Sequence, residues 1–183
     1  MSIKCSAYMA TSVDGFIAKS DGDIEWLHRP EYLESDLNGL QYDEFISTVD
    51  TLVMGRNSFE KVLTFDAWPY EETPVVVVTS RELTIPEHLQ GKVSAESGDP
   101  KKLVSKFESE GKQHLYIDGG KTIQRFLQEG LINEITITRI PILLGDGISL
   151  FDSFGVETSL RLIAATASEN GFVQVRYEVK PNS

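Results

Sequence analysis

Seven short apolar runs rich in β-branched residues punctuate the chain, at 3–10, 51–54, 74–79, 115–117, 135–140, 160–165 and 172–179. Their spacing constrains the fold more than any other feature. Runs of this length and composition read as strands. Between the earlier ones, apolar positions recur at helical spacing over 42–49, 58–63, 100–110 and 122–129, and Asp99-Pro100 sets a cap residue before a proline at a first helical turn. Strands alternating with helices predict an α/β fold with a mostly parallel central sheet flanked by helices. After Glu129 no helical spacing separates the remaining runs, so the C-terminal strands are expected to be antiparallel. Val75-Val76-Val77-Val78 has no polar alternation, as a strand buried on both faces requires.

With 183 residues and no internal repeat or linker, 1–183 is expected to form one domain. No apolar run approaches the ~20 residues that span a bilayer, and the N-terminus carries neither a basic leader nor a cleavable apolar stretch, so no membrane partner and a cytoplasmic location are expected. Lys and Arg total 17 against 28 Asp and Glu, a net charge of −11, and such a field repels a nucleic-acid backbone. An anionic cofactor can still be held, because backbone amides and placed cations act within about 8 Å. Cys5 sits in an apolar run and reads as a small buried hydrophobe. His28, His88 and His114 are too scattered to form a metal site, and none is expected.

Three segments carry chemistry. Residues 8–18 leave a strand, turn at Asp14-Gly15 and return apolar, the Asp-Gly pair tolerating positive φ. Leu52-Val53-Met54-Gly55-Arg56-Asn57-Ser58 runs from a buried strand into a helix. Gly55 permits close backbone approach there, and Arg56 offers a charged fork to phosphate oxygens. Leu115-Tyr116-Ile117-Asp118-Gly119-Gly120-Lys121-Thr122 repeats the strand, glycine, helix order, placing glycines where ligands bind in open α/β sheets. Taken alone, the Gly55-Arg56 segment reads first as a plain strand-to-helix turn with a solvated arginine, and a Gly-Gly turn of purely structural purpose is common.

The order of these segments, with Val78 to Arg81 between them and Gly145-Asp146-Gly147 after them, resembles the dihydrofolate-reductase-like superfamily, in particular the reductase domain of the riboflavin-biosynthesis deaminase-reductase. The resemblance implies a single-domain dihydrofolate-reductase-like fold and NADPH as cofactor. Ala10, Ile17 and Ala18 match residues that border the nicotinamide. Gly55, Arg56, Asn57 and Ser58 match the turn that holds the adenosine diphosphate portion, and Ser80 and Arg81 lie where the 2′-phosphate is recognised. Gly119, Gly120, Lys121 and Thr122 match the second diphosphate turn. Two arginines favour NADPH over NADH.

Folate reductases carry an acidic residue on the helix ahead of the Met-Gly-Arg signature, but counting back from Gly55 reaches Asn38 and Gly39, with Asp36, Asp43 and Glu44 only as neighbours. That departure counts against folate. Trp26, Tyr42 and Asp43 are the candidates for substrate contact, and the sequence singles out no catalytic side chain. The expected function is hydride transfer from NADPH to a small pteridine-like or pyrimidine-like heterocycle. The alternatives are a non-catalytic nucleotide-binding module of the same fold and a purely structural subunit. The apolar runs near the C-terminus predict a homodimer.

Overall fold

Each of the seven runs becomes a strand in the computed structural model, which describes residues 2–182. The elements are β1 (Lys4–Ser12), β2 (Phe16–Ala18), α1 (Tyr42–Ile46), β3 (Thr51–Gly55), α2 (Arg56–Val62), β4 (Val75–Val78), β5 (Val93–Glu96), α3 (Pro100–Ser109), β6 (His114–Asp118), α4 (Gly120–Gln128), β7 (Glu134–Ile140), β8 (Ile148–Ser149), β9 (Leu160–Ala167) and β10 (Val173–Val179). Eight strands form one sheet in the order β5-β4-β3-β6-β1-β7-β10-β9, and β2 pairs with β8 as a separate ribbon. From β5 through β7 every pairing is parallel. The expected antiparallel tail is β7-β10-β9, although β7 also runs parallel to β1. The fold is therefore the mixed α/β arrangement that the alternation predicts.

Strand alternation divides the core in two. Val53, Val76, Leu115 and Ile117 face Leu103 and Phe107 of α3 and Ile123, Phe126 and Leu127 of α4. Leu52, Met54, Val75, Val77 and Tyr116 face Phe45 of α1 and Phe59 and Val62 of α2. β4 is thus buried on both faces although it lies second from the sheet edge. Asp99 caps α3, its carboxylate accepting from Lys102 N at 2.9 Å, as Asp99-Pro100 predicts.

Between β1 and β3 the chain makes short 3-10 turns at Glu25–Leu27 and Pro30–Leu33, then lies across the C-terminal strands. Gln174, only 1% exposed, accepts from Leu40 N (2.7 Å) and donates to Leu40 O (2.9 Å), while Thr166 Oγ1 donates to Asn38 O (2.8 Å). No helix among the described residues is long and apolar enough to cross a membrane.

Candidate active site

β3 and β6 lie side by side and parallel with Met54 opposite Asp118, so their two glycine exits end at one level. A Cβ on Gly119 would stand 2.6 Å from Ser58 Oγ, and one on Gly55 would stand 3.0 Å from Thr122 Oγ1. The two turns that sequence reasoning treats separately are one structure. Gly119 has φ +92°, which side chains rarely adopt. The α4 ladder begins with Ile123 N donating to Gly119 O at 2.9 Å, which leaves the amides of Gly120, Lys121 and Thr122 ahead of it, at a positive helix end, without a carbonyl of the helix ladder to donate to. A glycine cradle beside such amides fits a diphosphate.

Gly120 has a packing reason to be glycine. A Cβ there would meet the Ser149 carbonyl at 3.1 Å and Ile17 Cδ1 at 3.3 Å, so its absence seats the start of α4 against the β2–β8 ribbon. Arg56 donates from Nε to Glu60 Oε1 (2.8 Å) and from Nη1 to Glu82 O (3.0 Å). It therefore reaches the turn after β4 on which Ser80 and Arg81 are exposed. Asn57 is exposed and Ser58 half-buried at the α2 start, while Lys121 is exposed, 3.8 Å from Asp152, and Thr122 is buried.

On the other side of β6, Ala10 and Ile17 are half-buried and Ala18 is buried. Asp14 fixes this region, its carboxylate accepting from Leu144 N (3.1 Å) and Gly145 N (2.8 Å). The Ser12 hydroxyl first, and these amides after it, hold the Asp14 carboxyl below its ordinary range. Gly15 takes φ +89°, as the Asp-Gly turn predicts.

The residues expected to touch substrate are separated. Trp26 is 3% exposed and packs with Tyr32 and Ile140 in a small cluster apart from that of Tyr42. Asp43 is exposed on the first turn of α1. Asn38 and Gly39 lie on no helix at all, because that stretch is strapped to β9 and β10 instead. Tyr42 alone joins the aromatic group beneath the strand exits. Its ring centroid is 5.8 Å from that of Tyr8, which stacks on Phe45 at 4.8 Å, and Phe45 meets Tyr116 edge-on at 5.0 Å.

Three residues of this group went unrecognised in the sequence: Asp118, Tyr70 and Trp68. Asp118 closes β6 on the Tyr116 face, accepting from Gly119 N at 2.9 Å. No cation pairs with it among the described residues. It is partly open to solvent yet enclosed by protein, and desolvation pushes its carboxyl up to about 6. Burial first, and then the Asp118 charge, raises the phenols of Tyr42 and Tyr70. Tyr70 meets Trp68 edge-on at 5.1 Å, and Trp68 Nε1 is enclosed without an acceptor among the described residues. Alternation along 115–118 is the one signal that points to Asp118, since it shares a sheet face with Tyr116. Nothing local marks Tyr70 or Trp68.

Known proteins resemble this chain in sequence and in fold. The RibD C-terminal domain family matches residues 4–174. The uncharacterized protein YwjB of Bacillus subtilis is 37% identical over 181 residues, covering 97% of this chain and 98% of YwjB. A crystal structure of a Shewanella sp. PV-4 protein assigned to riboflavin biosynthesis superposes with TM-score 0.87 at 36% identity, over 97% of this chain and 99% of that one. The Thermotoga maritima deaminase and 5-amino-6-(5-phosphoribosylamino)uracil reductase shares the fold at TM-score 0.69 and 13% identity, over 98% of this chain and 57% of that one. Enterococcus faecalis dihydrofolate reductase, complexed with NADP(H), shares it at TM-score 0.61 and 15% identity, over 98% of this chain and 97% of that one. Matched along nearly its whole length, the chain belongs to the RibD C-terminal domain family and has the fold found in dihydrofolate reductase.

Proposed function

We propose that this protein is an NADPH-dependent reductase of a small heterocycle. The observation that carries this reading is the meeting of the Gly55 and Gly119 turns at the paired ends of β3 and β6, with Asp118 between them and the aromatic group. Gly119, the first-turn amides of α4 and Ser58 would hold the diphosphate. Arg56 and Arg81 would hold the 2′-phosphate, and Ala10, Ile17 and Ala18 would border the nicotinamide. When bound, NADPH supplies a hydride to the carbon of a polarised C=N or C=O and leaves as NADP+. Reduction is complete once the heteroatom gains one proton. Asp118 would deliver it from its carboxyl and be reprotonated from solvent, since an acid with its pKa near neutrality is suited to that transfer. The ring surfaces of Tyr42 and Tyr70 would orient the acceptor and limit water around it.

Loss of NADPH absorbance on mixing with dihydropterins and aminopyrimidines tests the activity. Tight NADPH binding without turnover of any acceptor would favour a nucleotide-binding module of this fold. Fluorescence titration tests the cofactor separately: NADPH should bind more tightly than NADH, and Arg56→Ala should weaken NADPH by about 1.5–3 kcal/mol, the scale of one charge-assisted contact. Equal affinities for wild type and variant would remove Arg56 from the site.

A further inference from the structure

We propose that Gln124 is a positioning residue of the cofactor site: it bolts α4 to the β2–β8 ribbon, so that the diphosphate seat and the nicotinamide border keep one fixed spacing. This rests on the reductase reading above and adds to it the contact that makes the two halves of the site grip one dinucleotide together.

The two halves come from segments far apart in the chain. In the proposed site the diphosphate seat is the Gly119 turn with the first turn of α4, and the nicotinamide border is Ala10 of β1 with Ile17 and Ala18 of β2. β2 belongs to the two-stranded ribbon and not to the eight-stranded sheet, so the ladder of the sheet does not set its place against α4. Gln124 does. It stands one helical turn after Gly120 on the same side of α4. It is only 7% exposed, and an amide so enclosed is costly unless it is hydrogen-bonded. Its Nε2 donates to Leu150 O at 2.9 Å in a buried contact.

Leu150 carries the connection onward. Its N–H donates to Gly15 O at 3.0 Å, so its carbonyl is held by α4 and its amide by the β1–β2 turn, while its side chain lies in the core cluster with Ile123 and Phe126. Beside this bond, Ser149 O and Ile17 Cδ1 close on α4 at Gly120. Ser149 pairs with Phe16, and Ile148 with Ala18. At the far end of the ribbon the Asp14 carboxylate accepts from Leu144 N (3.1 Å) and Gly145 N (2.8 Å). An unbroken path of contacts thus joins the first turn of α4 to Ile17 and Ala18. Two groups linked in one ligand reinforce each other only when their seats keep the spacing that the linker allows, and seats already in place avoid the cost of ordering on binding. An apolar side chain at 124 would fill the volume but leave Leu150 O without its donor, and the ribbon would be free to drift from α4.

The test compares the whole cofactor with a fragment on the full-length protein. NADPH spans both seats, whereas 2′-phospho-ADP-ribose lacks only the nicotinamide. Titration calorimetry gives the affinity of each, and the emission of bound NADPH reports how closely the nicotinamide is enclosed. Gln124→Met, which keeps an unbranched side chain of similar length and removes the donor, should weaken NADPH by about fivefold, the scale of one neutral hydrogen bond. It should also lower the emission of the NADPH that binds, and leave 2′-phospho-ADP-ribose unchanged. Asp14→Asn, an exposed change at the far end of the same path, should give the same split and decides the matter if Gln124→Met does not fold. Arg125→Ala, at the exposed neighbouring position of α4, should change neither ligand. Equal losses for the two ligands, or no loss for either, overturn the proposal, because Gln124 then shapes α4 alone or holds nothing that the nicotinamide needs. A wild type that binds neither ligand would instead overturn the reductase reading, and this inference with it.

Discussion

A carboxyl enclosed beside three phenols loses the solvation that favours its charged form, and Asp118 accordingly titrates near 6 rather than at the ordinary 3.8. The same shift affects stability. Below about pH 4 the group is protonated whether the chain is folded or not, and it contributes nothing. Between about 4 and 6 the folded state holds more proton than the unfolded, so stability falls as pH rises, and above about 6 the full penalty is present. At about 1.4 kcal/mol per pKa unit, and discounting for partial exposure, that penalty is about 1–3 kcal/mol. Asp118→Asn should therefore raise the unfolding free energy by about that amount at neutral pH and by little near pH 4. In the same variant the reduction rate should fall and lose its decline above about pH 6, the signature of a departed acid. An unchanged stability difference across pH, measured by urea unfolding, would mean that the carboxyl is not desolvated. Beyond the alternation that sets Asp118 on the Tyr116 face, none of this was legible in the sequence. Asp118 stands there as one more acid in an acidic chain, and its neighbours Tyr42 and Tyr70 come from segments that only the fold brings near.

Elements were read more readily than residues, because periodicity is local. α3 and its Asp99 cap, the buried β4 and the C-terminal pair β9–β10 all follow from patterns within their own segments. β5 has four residues, with Ser94 and Ala95 exposed at the sheet edge, so no apolar run announces it. The β2–β8 ribbon is fixed by partners distant in the chain, such as Leu150 N donating to Gly15 O at 3.0 Å. α1 ends at Ile46 rather than at Val49 because Ser47 and Thr48 turn their hydroxyls back onto the carbonyls of Glu44 and Phe45. Each glycine turn is legible, but not their meeting, and that meeting makes a test at this scale. Gly119→Ala forces a left-handed-region φ on a side chain and drives its Cβ toward Ser58 Oγ, so it should destabilise the protein by about 1–3 kcal/mol. Ser58→Ala removes the obstructing oxygen. In that background the cost of Gly119→Ala should shrink without vanishing, because the backbone strain remains. Strictly additive effects in a double-mutant cycle would show that the turns do not touch.

For the molecule as a whole, the question is what covers the outer end of the sheet. Val173, Val175 and Tyr177 of β10 pair with Ala167, Ala165 and Leu162 of β9, and alternation puts these side chains on one face with Ile137 of β7. Leu160, Leu162 and Val173 are 40%, 56% and 41% exposed, and Ile163 at the β9 bulge is 42% exposed, so a contiguous apolar surface stands open on an edge strand. Exposed edges with apolar faces invite another chain unless something covers them. A second copy meeting this face about a two-fold axis is the simplest cover, since one patch then serves both partners. The opposite face of the same strands is already occupied, with Gln174 and Thr166 holding the Asn38–Leu40 stretch and Phe172 packed edge-on against Tyr32 at 5.2 Å. We therefore predict a homodimer that Leu162→Glu and Val173→Lys convert to monomers. Arg161→Ala, which removes an ion pair with Glu178 and no apolar contact, should leave the assembly intact. Light scattering over a dilution series reads the result directly. A constant mass near 20.4 kDa for the unaltered chain refutes the dimer, and a dimer that survives both apolar-to-charged substitutions must use another surface.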